Sequence, residues 1–184
     1  MTARTIRVAG INGSYSTPSK TAALVDLIAE EAARSYETDY RRIDVAFLGA
    51  GLSTALARDG LDREAAGAVD AVEQADLVIA ASPVYRGSYS GLFKHFVDLL
   101  DQYALADKPV ILAATGGSDR HMLMIDHELR PLFAFMQAHT SPGGVYASNG
   151  DFAGQAVLNP EVHSRIELAV RDLAPVLERE PVQE

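Results

Sequence analysis

Residues 75–91 read ADLVIAASPVYRGSYSG. The opening run, Ala75–Ser82, is almost continuously apolar. It is far too short to span a bilayer and has the aliphatic content of a strand covered on both faces. Strands of that kind belong to parallel sheets sandwiched between helices. The run ends in a loop of tyrosines, serines and glycines, Ser82-Pro83-Val84-Tyr85-Arg86-Gly87-Ser88-Tyr89-Ser90-Gly91. A helix starts near Ser90, a residue suited to capping it, with Leu92, Phe93, Phe96, Val97, Leu99 and Leu100 as its buried face.

The same alternation extends in both directions. Upstream, a strand at Thr5–Ile11 leads through the polar loop Asn12–Ser19 into a helix over Lys20–Ser35, where Ala23, Leu24, Leu27, Ile28 and Ala32 recur at helical spacing. A second strand fits Tyr40–Phe47, a Gly-rich loop Leu48–Leu61, and a helix Asp62–Gln74. Downstream come a strand at Pro109–Ala114, a helix at Met122–Ala138, a strand at Gly144–Ala147 and a helix at Glu161–Leu177. The polar tail from Glu178 is expected to fray. Five strands with crossover helices predict an α/β fold, a doubly wound parallel sheet with helices on both faces. At 184 residues the flavodoxin-like strand order 2-1-3-4-5 fits, as a single domain over 1–184 without a linker.

Composition narrows the function. With no cysteine, thiol catalysis, Cys-based zinc sites, iron–sulfur clusters and disulfides are excluded, and a cytoplasmic location is the default. A formal net charge of −9 argues against a nucleic-acid partner, whose phosphates need clustered Lys and Arg. No apolar run approaches membrane-spanning length, and the N-terminus enters a strand without a signal-peptide pattern. His121 and His127 lack metal-ligand spacing, so no metal is expected. A hydrolase is disfavoured too, because no G-x-S-x-G elbow occurs.

Open α/β sheets bind ligands outside the carboxyl ends of their strands, where the strand order reverses. The loops after strands one, three and four would meet there. The first, Gly13-Ser14-Tyr15-Ser16-Thr17-Pro18-Ser19-Lys20-Thr21, sets hydroxyls and a cation against a helix N-terminus, whose free N–H groups and dipole favour an anion. A cap needs one hydroxyl, whereas six of these nine residues carry one. A phosphate monoester therefore suits the loop better than capping alone. It is not G-x-G-x-x-G, and it misses G-x-x-x-x-G-K-[ST] because Ser19 stands where glycine belongs. In the loop after strand three, Tyr85 and Tyr89 offer a flat ring system apolar surface, and Gly87 and Gly91 permit close approach. After strand four, Thr115-Gly116-Gly117 can turn amide N–H groups toward ring carbonyls or a developing negative charge. Each of the last two loops could be only a turn. Their coincidence is what points to a bound nucleotide-like ligand.

At these loops the sequence resembles the NADPH-dependent FMN reductase family of flavodoxin-like proteins. The matches are Gly13-Ser14 with Ser19-Lys20-Thr21, Ser82-Pro83-Val84-Tyr85 with Tyr89-Ser90-Gly91-Leu92-Phe93-Lys94, and Ala114-Thr115-Gly116-Gly117. They run over most of the chain, from about Ile6 to the last helix. The resemblance implies FMN phosphate contacts at Ser14, Ser16, Ser19, Lys20 and Thr21. It implies isoalloxazine contacts at Pro83, Val84, Tyr85, Tyr89, Thr115, Gly116 and Gly117. Lys20 stands where arginine is commoner in the family, and the two are not equivalent at a phosphate. Thr115–Ser118 with Ile125–Pro131 resembles most the reductases of two-component alkanesulfonate monooxygenase systems, which deliver reduced FMN to a separate oxygenase. Some of those relatives carry a tyrosine at the position of His127, in a fourth helix with a π-helical turn at a tetramer interface.

Pro131 sits inside that fourth helix and has no N–H, which predicts a kink or bulge. Met122, Leu123, Met124, Ile125, Leu129, Leu132, Phe133, Phe135 and Met136 make the helix apolar on nearly every side. A helix of this kind is buried all round, which predicts a homo-oligomer, dimer or tetramer, through residues 122–138. The expected activity is hydride transfer from NADPH or NADH to FMN with no side chain as acid or base, so no catalytic residue is assigned. The reduced FMN would go to a flavin-dependent monooxygenase. Two other functions share the same loops: a reductase of quinones, azo compounds or metal oxyanions with tightly bound FMN, and a non-enzymatic flavodoxin-type electron carrier.

Overall fold

The computed structural model describes residues 4–178, so the expected fraying beyond Glu178 lies outside the described residues. Strand β1 (Ile6–Asn12) is buried at every position except Arg7 and pairs in parallel with both β2 (Thr38–Asp44) and β3 (Leu77–Pro83). Strand β3, the apolar run of Ala75–Ser82, pairs on its far side with β4 (Pro109–Gly116). Burial along β3 is complete until Pro83, as a strand covered on both faces requires.

The fifth position in the sheet is held by two short strands. Strand β5 (His139–Thr140) pairs with the start of β4, and β6 (Val145–Ser148) pairs with its end. Between them, Pro142 cannot donate to a ladder, and Gly143 and Gly144 let the chain detour. The order is thus β2-β1-β3-β4-β5, with β6 beside β4. This is the flavodoxin-like order expected, with the fifth strand split.

Alternate residues of each strand feed two cores, one on each side of the sheet. Val8, Ile79 and Ile111 join Leu24 and Ile28 of α1 (Lys20–Ser35) and Ile166 and Leu173 of the C-terminal helix (Pro160–Leu177). Ala9, Val78 and Leu112 face the other way. They meet Val69 and Val72 of a helix over Arg63–Glu73, Phe93 and Phe96 of a helix over Gly91–Asp98, and Leu129 and Phe133. In chain order the helices are α1, α2 (Gly49–Ser53), α3 (Arg63–Glu73), α4 (Gly91–Asp98), α5 (Arg130–Phe135) and α6 (Pro160–Leu177).

Two boundaries differ from the sequence pattern. Strand β2 runs from Thr38 to Asp44, and Val45–Phe47 turns away as a 3-10 helix. The ladder ends there because β1 ends there, with Asn12 opposite Asp44. The stretch read as a loop, Leu48–Leu61, contains α2 and a 3-10 turn at Arg58–Gly60. A small antiparallel pair, β7 (Phe152–Ala153) with β8 (Ala156–Val157), follows β6 and was not foreseen.

The irregularity around Pro131 is a π-helical turn over Ile125–Leu129. The Arg130 N–H reaches back five residues to the Ile125 carbonyl. Pro131 thereby falls in the first turn of α5, where a helix does not need its missing N–H. Gly144 accepts the bulge closely, since a Cβ there would lie 2.4 Å from Ile125 Cγ2. Burial of this segment is one-sided. Met124, Ile125, Leu129, Phe133 and Met136 are buried, but Leu123 is 55% and Phe135 72% exposed.

Candidate functional site

The loop after β1 is built on a buried amide. Asn12, 1% exposed, donates from Nδ2 to Asp44 Oδ1 (2.6 Å) and accepts the Ser14 N–H at Oδ1 (3.1 Å). The acceptor-only carboxylate of Asp44 fixes which way the amide points. The Ser14 hydroxyl in turn accepts the Ser16 N–H (3.1 Å). Ser19 caps α1 by accepting the Ala22 N–H (3.1 Å). The amides of Lys20 and Thr21, in the first turn, have no intrahelical partner and face the loop's end of the helix dipole.

Three sets of hydrogen bonds bind the loops to one another. The Ser90 hydroxyl donates to the Gly13 carbonyl (2.6 Å) and accepts the Phe93 N–H as the cap of α4, tying the first loop to the third. Ser82, fully buried, receives the Ser90 N–H (2.9 Å) and donates to the Pro83 carbonyl (2.9 Å). Thr21 and Thr115, buried, share a hydrogen bond of 2.7 Å between their hydroxyls, tying the first loop to the fourth. The Val84 N–H donates to the Thr115 carbonyl (2.8 Å), tying the third to the fourth.

The third loop closes in a two-residue turn. Tyr85 and Ser88 exchange backbone bonds of 2.8 and 3.1 Å around Arg86 and Gly87, whose φ values are +53° and +88°. A primed hairpin turn requires such positive values at both central residues. Glu128 of the π-helical turn accepts the Ser88 hydroxyl (2.9 Å). The Tyr85 ring lies 5.2 Å from that of Tyr15, and both rings are exposed. Tyr15 is fixed by accepting the Leu92 N–H at its hydroxyl (2.9 Å). Tyr89 turns inward, 5.8 Å from Phe93.

The fourth loop is shaped by Tyr146. Burial, helped by the Asp119 and Asp151 carboxylates, pushes its phenol up, so it keeps its proton and donates to the Ser118 carbonyl (2.6 Å). A Cβ on Gly116 would lie 2.2 Å from that phenol oxygen, whereas one on Gly117 would meet nothing within 4 Å. Gly116 is required by packing, and Gly117 leaves an open, exposed stretch of backbone beside the cleft.

The β6–β7 turn forms a further wall. The Ser148 amide and hydroxyl both donate to Asp151 Oδ2 (2.7 and 2.9 Å), and Asn159 Nδ2 donates to Asp151 Oδ1 (2.6 Å). Burial pushes the Asp151 carboxyl up, but these bonds from Asn159 and Ser148 outweigh it and hold the group below the usual carboxylate range. The turn brings Asn149 Oδ1 to 2.9 Å from Lys20 Nζ and the Phe152 ring centroid to 5.3 Å from it.

A family model described as NADPH-dependent FMN reductase matches residues 6–153. The chain belongs to the NADPH-dependent FMN reductase family. It is 45% identical over 170 residues to an FMN reductase (NADPH) of Pseudomonas aeruginosa, covering 92% of this chain and 91% of that protein. It is 48% identical over 168 residues to the NADH-dependent FMN reductase SfnF of Pseudomonas putida, covering 91% and 90%. Among solved structures it is similar to the apo form of the NADH:FMN oxidoreductase EmoB, with a TM-score of 0.82 and 31% identity over 96% of this chain and 92% of that one.

The three loops singled out in the sequence thus converge at one end of the sheet of this family member. Ser16, Tyr85 and Gly117 are exposed, and Ser19 and Lys20 are half-buried. Thr21 and Thr115 differ from the sequence reading in orientation. Their side chains are buried in a mutual hydrogen bond, which makes them ties between loops. The sequence reading missed Asn12, Tyr15, Asn149 and Phe152. Only Asn149-Gly150-Asp151, a turn signature after the last strand, could have drawn attention to the last two. His127 is exposed on the π-helical turn.

Replacing Thr21 or Thr115 singly by valine strands a buried hydroxyl and should cost about 1–3 kcal/mol of stability, whereas the double replacement should be close to neutral. Urea unfolding of the four proteins of this cycle measures it, and additive losses would show that the two hydroxyls are not coupled.

Proposed function

We propose that this chain catalyses NAD(P)H-dependent reduction of FMN and releases the reduced flavin to a separate flavin-dependent monooxygenase. The observation that carries this reading is the mutual clamping of three loops at the carboxyl edge of the sheet. It leaves hydroxyls, helix-terminal amides and a lysine at one end of the cleft, and tyrosine rings with an open glycine backbone at the other. The donor set suits a phosphate monoester, and the open Gly117 backbone beside Tyr85 suits a flat ring. Membership of the reductase family and the names of its 45–48% identical relatives support the activity.

In this proposal Ser14, Ser16, Ser19 and Lys20 hold the phosphate, with Thr21 contributing its amide. Pro83, Val84, Tyr85 and Tyr89 flank the ring on one side, and Thr115, Gly116 and Gly117 meet its edge. A bound flavin would supply the acceptor for hydride from the nicotinamide nucleotide. The residues of this chain bind, orient and exclude water, and no side chain has to move a proton. The whole machinery sits on one flavin-binding domain, and the cytoplasmic location expected from the cysteine-free sequence belongs to the same proposal.

Leu123, before the π-helical turn, and Phe135, at the end of α5, present exposed apolar surface of the kind that subunit interfaces cover. We read this surface as the contact between identical chains. Light scattering should then give a dimer or tetramer, and Leu123→Glu with Phe135→Glu should shift it to monomer. A monomeric wild-type protein would refute that part.

Steady-state oxidation of NADH and NADPH by the purified protein checks the activity, with and without added FMN. Turnover should saturate with FMN in a protein that is colourless as purified. Yellow protein that turns over without added FMN would favour a tightly bound flavin serving another acceptor. Absence of turnover at saturating FMN with either nucleotide would overturn the reductase assignment for this chain.

A further inference from the structure

Lys20 is the sole cation in the hydroxyl-rich loop of residues 13–21, and it is held from outside that loop. Its ammonium is 2.9 Å from Asn149 Oδ1 and 5.3 Å from the centre of the Phe152 ring. Asn149 comes from the turn between β6 and β7, 129 positions away in sequence, and Phe152 opens β7. That turn is itself rigid. Ser148 and Asp151 form a reciprocal capping box, and Asn159, the cap of α6, is bonded to Asp151 at its other oxygen. The Asp151 charge is thus engaged by three donors, two from Ser148 and one from Asn159.

We propose that Asn149 and Phe152 are positioning residues that aim Lys20 at the flavin phosphate, so that the β6–β7 turn confers preference for a phosphorylated flavin over riboflavin. This rests on the reading of the first loop as the phosphate cradle. A free lysine loses much rotamer freedom when a ligand fixes it. Here the side chain is already ordered before the ligand arrives. An ammonium has three donors. Asn149 takes one and leaves two for phosphate oxygens, and a neutral amide oxygen does so without cancelling the charge. The Phe152 face supports the cation further, within the roughly 6 Å over which ring and cation attract.

The test is equilibrium titration of the purified protein with oxidised FMN and with riboflavin, which lacks the phosphate, followed by quenching of flavin fluorescence. Wild-type protein should bind FMN more tightly than riboflavin. Lys20→Met should erase most of that difference, on the order of tenfold or more. Asn149→Ala should weaken FMN by about three- to tenfold, the worth of one lysine's rotamer freedom, with riboflavin unaffected. Asn149→Asp should weaken FMN further, because a carboxylate pairs with Lys20 and repels the phosphate. If Lys20→Met lowers the preference for FMN and Asn149→Ala does not, the positioning role is wrong and the phosphate cradle stands. Equal weakening of FMN and riboflavin by Asn149→Ala would mean a merely structural turn and also overturn the role. If Lys20→Met leaves the preference intact, the cradle reading itself fails, and this inference with it.

Discussion

The hydrogen bond between the buried Thr21 and Thr115 hydroxyls joins directly two loops that follow different strands. In a doubly wound sheet the connections from β1 and β3 depart to opposite faces, and the crevice between them is open by construction. A ligand site there needs its walls fixed relative to one another. Thr21 with Thr115, Ser90 with Gly13, and Val84 with Thr115 supply that fixation in three pairwise ties. Each tie is buried or backed by a buried group. Loss of one would leave a polar atom unsatisfied in the core, at a cost larger than the bond's net contribution. The loops are therefore held together by ties that involve no ligand.

That arrangement divides the polar residues of the first loop into two sets. Asn12, Ser14 and Thr21 are buried and set the backbone path, while Ser16 is exposed and Ser19 and Lys20 are half-buried. Asp44 stands behind the inward set, its carboxylate accepting from Asn12 and from Arg42. The cleft's opposite end is governed by backbone shape. Arg86 and Gly87 adopt the positive φ of a tight turn, and Tyr146 enforces glycine at position 116 by its distance alone. Glu128 connects this end to the π-helical turn through Ser88.

Much of this was legible in the sequence, for identifiable reasons. Short, nearly continuous apolar runs at Ala75–Ser82 and Pro109–Ala114, each bounded by turn residues, read as strands buried on both faces, and the flavodoxin-like order fits a chain of this length. Pro131 announced the irregular helix because a missing N–H cannot be compensated within a regular one. The end of β2 was not legible, because it depends on where β1 stops. The split fifth strand was hidden because Pro142 and the glycines after it resembled a loop before a strand. In the site, residue types told which loops matter but not which way each hydroxyl points. Thr21 and Thr115 are 94 positions apart, and nothing local marks them as partners. Asn149 and Phe152 were missed for the same reason.

In the proposed function, three loops already tied together receive one flavin between them. Hydrogen–deuterium exchange with and without saturating FMN tests it directly. Added protection is expected together in peptides covering residues 13–21, 83–89 and 115–118, with little change in β2 or α3. Protection confined to one loop, or appearing mainly outside these segments, would contradict the account.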